Sequence, residues 1–400
     1  MKVSLEQMAC IESEILKQVR AHPGISRVVL ARRLQIAPST VGNYAGRLIT
    51  EGFLVEAQTA ESEAGRPPTA LRLNPDGGQF IGVDFEARNI MAMAVDFSDK
   101  PLKHAHQEIQ KSDSVRDIIG KIEQAIADVL PDDHGRLLAI GVGVPGLVDP
   151  AKGTALHYKY IQRWKNVPLA APLARRFGVP VYLENNVRSM ALAELWFGQG
   201  RGLGDWLCLG IRSGIGVGIV AGGQLQHGAD YRAGEIGRWL CPAPSRAAAR
   251  YFAGDSPAAA NLELQEVSSV RAVLAALERA RQAKEKSLLF ARNPPLTLAD
   301  VEHAVRQRDR LAVDIVEVAA EMLGWAVSQL ALVLNPSRVI LAGPLTLLGD
   351  ALLLPLRTRA EEILRGSDAV VPVIVSSSMG EYSGALGAAA LAVHEWKPVR

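Results

Sequence analysis

The sequence predicts an α/β protein that carries a small helical module at its N-terminus. Ala, Leu, Val and Gly are plentiful in the 400 residues, whereas aromatic residues make up 5% of them, and this mixture is typical of helices packed on sheets. Helical spacing of apolar residues characterises the N-terminal segment, and strand-like and helix-like segments alternate after residue 78. We therefore expect an N-terminal domain of residues 1–77 and a larger α/β domain of residues 78–400.

Composition excludes several classes of protein. The three cysteines, Cys10, Cys208 and Cys241, lie far apart in the chain, which argues against a disulfide framework or a C-x-x-C metal site. No apolar run approaches the roughly 20 residues that a membrane span needs, and the N-terminus lacks the apolar core of a signal peptide. The sequence thus predicts a cytoplasmic protein without a membrane partner.

The charge distribution points to nucleic acid. Residues 17–50 contain six basic residues and no acidic one, although the net charge of the chain is only +2. Residues 1–75 hold nine basic and seven acidic residues, so that 44−9=35 basic and 42−7=35 acidic residues remain elsewhere. All of the excess positive charge therefore belongs to the N-terminal segment, where it could neutralise phosphates.

The N-terminal pattern predicts a helix-turn-helix. A first helix ends at His22–Gly24, and Ser26 has the position of an N-cap for a second helix over Arg27–Leu34, with Val29 among its inward-facing residues. A third helix follows over Pro38–Thr50 after a short turn, which makes it the expected recognition helix.

One face of this third helix carries groups suited to phosphates and to base edges in the major groove. Its opposite, apolar face is expected to be buried. The predicted DNA-binding residues, on this helix and around it, are Arg27, Ser39, Thr40, Asn43, Tyr44, Arg47 and Arg66. The alternative is a plain three-helix packing unit whose polar residues are merely solvated.

Two short strands after the third helix predict a wing. Residues 53–55 and 71–73 can pair, and the Gly65–Pro68 segment between them presents Arg66 at the tip. A narrow Gly-Arg-Pro tip could place this arginine in a minor groove. A proline-stiffened linker is the alternative.

From residue 78 onwards the apolar pattern predicts strands ending in polar loops, where pockets form. Strands are expected over 80–84, 90–96, 137–144, 179–184 and 338–342, and helices over 113–130, 311–334, 351–364 and 384–394. Either of the last two helices could serve a dimer contact.

Five blocks of this region resemble the ROK family, named for repressors, open reading frames and kinases. The blocks are GVGVPGLVD (141–149), WKNVPL (164–169), ENNV (184–187), LWFGQGRG (195–202) and GEIG (234–237). The resemblance covers nearly the whole chain and implies the two-lobed, actin-like fold of sugar kinases, a ribonuclease H-like architecture. Together with the winged helix-turn-helix, it implies the transcription-regulator branch of the family.

Two departures from the family's kinases imply that catalysis has been lost. Those kinases use an Asp-x-Gly-x-Thr phosphate loop, where this chain has Asp84-Phe85-Glu86-Ala87-Arg88. They also use an aspartate as the base, where this chain has Asn186, which cannot accept the proton. We therefore predict no catalytic residues and no enzyme activity. An active sugar kinase that uses ATP is the alternative, and the glycine run Ser213–Gly218 is either a nucleotide loop or a structural turn.

The zinc site found in most of the family is not expected either. Arg238 stands where the resemblance implies a histidine, and Cys241 is the lone cysteine of the segment that continues through Pro242–Ala260. The sequence therefore predicts neither a metal nor a cofactor.

The resemblance implies a sugar site made of amide and carboxylate side chains with glycine and one arginine. Its predicted residues are Gly146, Asn166, Asn185, Asn186, Glu235, Arg238 and Glu263. Glu266 is an alternative register for Glu263, and each residue could instead be a turn or cap residue. Because a guanidinium suits a carboxylate or phosphate, Arg238 predicts an anionic sugar derivative as effector. The alternative is that Arg238 pairs with Glu235 or Glu263 and closes the pocket.

These observations predict a repressor of carbohydrate-metabolism genes that senses a sugar or sugar derivative and binds a double-stranded DNA operator. A two-fold operator requires two copies of the module, so we expect a homodimer or a dimer of dimers. A DNA-binding structural protein without a ligand is a third interpretation.

Overall fold

The computed structural model describes residues 5–58, 69–86, 88–130, 136–243, 247–253, 262–291 and 295–398. The chain divides into two compact units, the first made of residues 1–184 and 388–400 and the second of residues 185–387. Each unit is described by itself below. The division between residues 77 and 78 stays a prediction.

The N-terminal part of the first unit is the expected winged helix-turn-helix. Its elements are α1 (Leu5–Ala21), β1 (Ile25–Ser26), α2 (Arg27–Leu34), α3 (Pro38–Thr50), β2 (Leu54–Gln58) and β3 (Thr69–Leu73). The strands form a small antiparallel sheet in the order β1-β3-β2. The Ser26 hydroxyl accepts a hydrogen bond from the Val29 amide and so caps α2.

One prediction about this module is wrong. Val29 is 40% exposed, whereas Leu30 and Ala31 are buried. Because successive residues of a helix are about 100° apart, the inward face formed by Leu30, Ala31 and Leu34 leaves Val29 on the outer side of α2.

The remainder of the first unit is a five-stranded sheet with a helix and a smaller sheet. Its elements are β4 (Gln79–Phe85), β5 (Asn89–Asp96), β6 (Pro101–Glu108), α4 (Val115–Asp128), β7 (Leu137–Val144), β8 (Leu147–Asp149), β9 (Thr154–His157), β10 (Lys165–Pro168), α5 (Ala170–Phe177) and β11 (Val181–Asn185). The large sheet has the order β11-β7-β4-β5-β6 and the small one β10-β9-β8. Strands β4, β5 and β6 are antiparallel, and β7 runs parallel to β4.

The second unit repeats this strand order around a helical core. Its elements are α6 (Asn186–Trp196), β12 (Trp206–Ile211), β13 (Ile215–Ala221), β14 (Gln224–Gln226), α7 (Arg250–Ala253), α8 (Leu264–Ser268), α9 (Val270–Gln282), α10 (Leu298–Arg306), α11 (Arg310–Leu334), β15 (Arg338–Ala342), α12 (Asp350–Arg365) and β16 (Val373–Ser376). The sheet order is β14-β13-β12-β15-β16, with β12 to β14 antiparallel and β15 parallel to β12. The duplicated order is that of the ribonuclease H-like fold expected from the sequence.

The last helix, α13 (Ser383–Glu395), begins in the second unit and continues in the first. Small residues let it pack closely in both places. A Cβ atom at Gly387 would lie 1.7 Å from the Ser189 carbonyl oxygen in the second unit, and one at Gly141 would lie 1.8 Å from the Ala388 carbonyl oxygen in the first. Within the described ranges, the helices are too short or too polar to cross a membrane.

Candidate DNA-reading face and ligand-binding residues

Helix α3 presents a polar face to solvent, as the sequence predicts. Ser39 and Asn43 are exposed and Thr40 is half-buried, whereas Val41, Ala45 and Leu48 are fully buried on the opposite side. Pro38 occupies the first turn of the helix, where a missing N–H costs nothing. The hydroxyl and amide groups of this face can donate to and accept from base edges.

Tyr44 does not lie on this face, contrary to the prediction. Its side chain is only 7% exposed. Position 44 is about 140° from Ser39 around the helix, which places the ring on the side of Val41 and Leu48. The aromatic ring therefore belongs to the packing of the module.

Two of the predicted arginines are engaged within the module. Arg27 forms an ion pair of 2.7 Å with Glu56 of β2, and Arg47 lies 3.6 Å from the fully buried carboxylate of Glu12 in α1. The guanidinium of Arg47 also lies 5.8 Å from the centre of the Tyr44 ring. Both arginines keep 38% of their side chains exposed. Arg66 lies outside the described residues.

Sequence reasoning did not assign two further cations of α2. Arg32 and Arg33 are exposed in its last turn, and Arg33 lies within hydrogen-bond distance of the His22 ring, at 2.6 Å. The helical phase set by Leu30 and Leu34 could have identified both as outward residues.

In the first unit, the predicted ligand residue Gly146 directly precedes β8 of the small sheet, and Asn166 lies within its strand β10. Gly146 has φ +73°, and a Cβ atom there would lie 2.3 Å from the His157 carbonyl oxygen, so that only glycine fits. His157 of β9 pairs with both Leu147 and Lys165, the neighbours of these two residues in the chain. Asn166 is exposed with φ +51°. The fold thus brings the two segments onto adjacent strands.

Asn185 and Asn186 lie at the start of α6 in the second unit, and both are buried. The Asn185 side-chain oxygen accepts hydrogen bonds from the Val187 and Arg188 amides, at 2.9 and 3.2 Å. Asn185 is therefore the N-cap of α6, one of the alternative roles that the sequence left open. Asn186 follows it as the first residue of the helix.

Glu235 is surrounded by arginines. Burial raises the pKa of the Glu235 carboxyl, and the positive charges of Arg188, Arg238 and Arg232 oppose that rise. The Arg188 side chain is itself buried and donates hydrogen bonds to the carbonyl oxygens of Tyr231 and Ala233, at 3.0 and 3.5 Å. Sequence reasoning missed both Arg232, which lies three residues before Glu235 in the chain, and Arg188, whose proximity to Glu235 depends on the tertiary fold.

Arg238 and Glu263 differ in exposure. Arg238 is exposed at the end of the short turn that Glu235 begins, and Glu263 is half-buried. Glu263 begins α8, where the Glu266 carboxylate accepts from the Glu263 amide at 3.0 Å. The Glu263 carboxylate itself accepts from the Gln265 side-chain amide at 2.5 Å. The alternative residue Glu266 therefore acts as part of a capping box.

The segment that replaces the kinase phosphate loop is part of the core. Phe85 is completely buried, and its ring lies 5.3 Å from that of Trp164 in an edge-on arrangement. Asp84 is 1% exposed, and the Glu86 amide donates to the Asn89 carbonyl oxygen to form a tight β4–β5 turn. Ala87 lies outside the described residues. Asp84 and Phe85 are therefore core residues, and the half-buried Glu86 stands at the glycine position of the kinase loop.

Ser213 and Gly214 of the glycine run lie in the turn between β12 and β13, and Gly216 and Gly218 lie within β13. A Cβ atom at Gly218 would lie 2.5 Å from Ala191, and one at Gly210, which pairs with Gly216, would lie 2.7 Å from Val187. These glycines let α6 approach the sheet closely, which supports the structural interpretation of the run.

Around Cys241 the chain is held by backbone pairing. Cys241 and Leu264 donate their amides to the carbonyl oxygens of Leu262 and Trp239, respectively. Burial raises the pKa of the Cys241 thiol to about 12, so the thiol stays protonated at neutral pH. Within the described ranges, no group of three or more His, Cys, Asp or Glu residues is arranged to hold a metal ion.

Comparison with known proteins places both parts of the chain. Residues 11–55 match a winged helix-turn-helix DNA-binding family. A putative xylose repressor of Caldicellulosiruptor sp. is 29% identical over 350 residues, covering 86% of this chain and 85% of the relative. A glucokinase of Thermotoga maritima is 29% identical over 323 residues, covering 78% of this chain and 96% of the relative.

A solved structure of a ROK family transcriptional regulator, a homologue of the E. coli MLC protein, superposes with a TM-score of 0.77 at 22% identity. The superposition covers 97% of this chain and 96% of the regulator's chain. That likeness concerns the fold. Residues 80–395, well over half of the chain, match the ROK family, and the chain therefore belongs to it.

Proposed function

We propose that this protein is a DNA-binding repressor of carbohydrate-metabolism genes whose ROK body senses a sugar without phosphorylating it. One observation carries the proposal: a winged helix-turn-helix with an exposed polar face on α3 is joined to a ROK body in which Glu86 and Asn186 replace kinase residues. The similarity to a putative xylose repressor over most of both chains supports it.

Contacts to DNA are proposed for the outer side of the helix-turn-helix. Ser39, Thr40 and Asn43 would read base edges, and Arg27, Arg47 and Arg66 would bind phosphates or the minor groove. The exposed Arg32 and Arg33 add positive charge on the same module. Two copies would bind two half-sites, which requires a homodimer or a dimer of dimers. Action on chromosomal DNA implies a cytoplasmic protein.

The effector is proposed to be a sugar or an anionic sugar derivative. It would be bound by Gly146, Asn166, Asn185, Asn186, Glu235, Arg238 and Glu263. The positive charges of Arg188, Arg232 and Arg238 all act on the Glu235 carboxyl, and Arg232 also pairs with Asp230 at 3.0 Å. This excess of positive charge favours an anion, such as a sugar acid or sugar phosphate. Sugar binding would favour one conformation of the repressor and so release the operator.

A sugar kinase is the second candidate, because the chain also resembles a glucokinase. The chemistry of the two altered segments argues against it, since an amide at position 186 cannot take the proton from a sugar hydroxyl. We expect no ATP-dependent phosphorylation of any sugar. Asn186→Asp alone should not restore turnover, because Glu86 still stands in place of the loop glycine and Arg88 in place of the threonine. Turnover by the unaltered protein, followed as ADP release, would favour the kinase.

A thermal-shift screen tests the proposal. The purified protein is heated with neutral sugars, sugar acids, sugar phosphates, and ATP with magnesium. A ligand of the folded state at 100 times its Kd stabilises by about 2.7 kcal/mol, which raises the Tm measurably. Stabilisation by a sugar compound and not by ATP supports the sensor.

Arg238→Ala provides the matched test of the anionic effector. This variant should abolish the Tm shift caused by a sugar acid or sugar phosphate and leave the Tm shift caused by a neutral sugar unchanged. An unchanged shift would show that Arg238 does not contact the anion. A protein that responds to no compound of the panel would be a DNA-binding protein without a sugar effector.

A further inference from the structure

The helix-turn-helix is attached to the α/β part of the first unit by a buried ion pair. The Arg20 Nε atom, in the last turn of α1, donates to both Asp99 carboxylate oxygens at 2.8 and 3.1 Å. The Arg20 guanidinium also donates to the Phe97 carbonyl oxygen at 3.1 Å. The two side chains are only 8% and 12% exposed. We call this pair the Arg20–Asp99 clamp.

The turn that carries Asp99 is prearranged for this contact. The turn joins β5 to β6, and Asp99 has φ +72°. One oxygen of the buried Asp96 carboxylate accepts from the Ser98 amide, the Ser98 hydroxyl and the Lys100 amide, at 2.8 to 3.0 Å. Because the amides of both of its chain neighbours are held by Asp96, Asp99 keeps its carboxylate directed towards α1. This orientation does not depend on the segment that connects the helix-turn-helix to the α/β part.

A second attachment is made by four buried aromatic rings, the aromatic cluster of Phe53, Phe80, Phe97 and Trp396. Phe53 lies at the start of the wing, and its ring is 5.1 Å from that of Phe97 and 5.2 Å from that of Trp396. Phe80 and Phe97 lie 5.8 and 5.9 Å from Trp396. The wing therefore packs against β4, the β5–β6 turn and the residue that follows α13.

The connection between the two parts is also closely packed. The Asn74 side chain donates to the Gly52 carbonyl oxygen at 2.7 Å, and a Cβ atom at Gly77 would lie 3.0 Å from that same oxygen. Attachments at α1, at the wing and at the connecting segment constrain rotation about more than one axis. A module held in this way has a fixed orientation, unlike one on a flexible tether.

We propose that Arg20, Asp99, Phe97 and Trp396 are positioning residues that fix the DNA-reading module and thereby make the protein select operators by the spacing of their half-sites. This inference rests on the proposed binding of two half-sites by two copies. Two rigidly held modules match a single spacing, whereas loosely tethered modules accept several at lower affinity. Asp99 and Trp396 lie outside the helix-turn-helix, so they act on DNA only through position.

The test uses full-length protein and duplexes that carry two half-sites obtained by selection from random DNA with the wild-type protein. The spacer is lengthened and shortened in single base pairs over about half a helical turn of roughly 10.5 base pairs. We expect the wild type to bind one spacing at least about tenfold more tightly than its neighbours. Asp99→Asn and, separately, Trp396→Leu should flatten this profile and lower affinity for the best spacing.

Asp99→Asn is informative because electrostatics alone predicts that this variant binds DNA more tightly, whereas loss of the clamp predicts weaker binding. Removing a negative charge strengthens attraction to DNA, and asparagine tolerates the positive φ of this position. Asp113→Asn is the matched control, since Asp113 pairs with Lys121 away from the module. It should leave the spacing profile unchanged. Trp396→Leu retains the ion pair and serves as the second variant if Asp99→Asn does not fold.

Three outcomes separate the explanations. A flattened profile in both variants supports the inference. A uniform loss of affinity with the wild-type profile, or tighter binding by Asp99→Asn, overturns it and assigns the clamp to stability alone. A wild-type protein without any spacing preference overturns the inference and, with it, the proposed binding of two half-sites.

Discussion

At the scale of single residues, the face of α3 that would approach DNA is small. Gly46 lies about 20° from Ser39 and about 60° from Asn43 around the helix, almost opposite the buried Leu48. A Cβ atom at Gly46 has no described neighbour within 4 Å apart from the backbone of its own helix and its chain neighbours. A helix-interior glycine costs roughly 0.5–1 kcal/mol relative to alanine. Close approach of DNA would explain a glycine that the free protein does not need.

We expect Gly46→Ala to stabilise the free protein by about 0.5–1 kcal/mol and to weaken operator binding. A methyl group on this face would separate α3 from the base edges, with a loss comparable to one base contact, about 1–3 kcal/mol. Urea unfolding and operator titration measure the two effects. Gly120 in α4 is exposed and, like the half-buried Gly46, has no close neighbour for a Cβ atom; Gly120→Ala should give the same stabilisation with unchanged DNA binding. Equal operator affinity in Gly46→Ala and wild type would contradict the proposed face.

Glu235 makes stability depend on pH. Its pKa in the folded protein is raised above the ordinary 4.5, mainly by burial. The folded state therefore binds more protons than the unfolded state between the two pKa values. The stability that this group contributes is complete below the unfolded pKa and is lost as pH rises through the folded pKa.

Glu235→Gln removes this titration. The Tm of the wild type minus that of Glu235→Gln should fall as pH rises from about 4 to neutrality. Thermal melts of both proteins over this range provide the measurement, with Glu266→Gln as an exposed carboxylate control. A difference that stays constant, or rises with pH, would mean that the surrounding arginines outweigh burial at this site.

At the scale of elements, α6 connects the proposed ligand residues of the second unit. Its N-cap is Asn185, its first residue is Asn186, and the Arg188 side chain fixes the carbonyl groups of residues 231 and 233 just before Glu235. One helix therefore orders the amides directly and the carboxylate through an arginine. The hydrogen bonds to these carbonyl groups explain why the buried Arg188 follows Asn185 and Asn186 in α6.

We expect Arg188→Met to lower the free energy of unfolding by about 1–3 kcal/mol, because buried carbonyl groups lose their donor. It should also weaken the binding of the sugar found by the thermal-shift screen. Arg176→Met in α5, whose side chain is 63% exposed and paired with Glu123, should change neither property by more than about 0.5 kcal/mol. Isothermal titration and urea unfolding are the measurements. Unchanged sugar affinity in Arg188→Met would separate this arginine from the ligand site.

Strongly patterned elements could be predicted from the sequence. Helices α2 and α3 and strands β7 and β15 have the predicted bounds, because caps, proline and continuous apolar runs mark their ends. Strand β6 was missed, since its residues Pro101–Glu108 alternate between exposed and half-buried at the sheet edge and include few apolar ones. Short strands such as β8 to β10 depend on pairing partners distant in the chain.

The candidate site was less predictable, because side-chain partners come from distant segments. The sequence identified Tyr44 and Arg47 as candidate DNA-binding residues. It did not predict that Tyr44 is buried or that Arg47 pairs with Glu12. Likewise, nothing in the local pattern places Arg188 beside Glu235. Residue type could be predicted from motifs, whereas exposure and partner depend on tertiary packing.

At the scale of the whole molecule, the chain combines two duplicated sheet units with a DNA-binding module that belongs to the first of them. Helix α13 begins in the second unit and ends next to Trp396 of the aromatic cluster in the first. The DNA-binding module and the last part of α13 therefore belong to the same unit.

Control of operator binding by a sugar is tested by titrating fluorescently labelled operator DNA with the full-length protein, at fixed salt, without and with a saturating amount of the stabilising sugar. We expect sequence-specific binding that the sugar weakens by about 5- to 150-fold, a coupling of about 1–3 kcal/mol. Operator affinity that does not change at saturating sugar would contradict it.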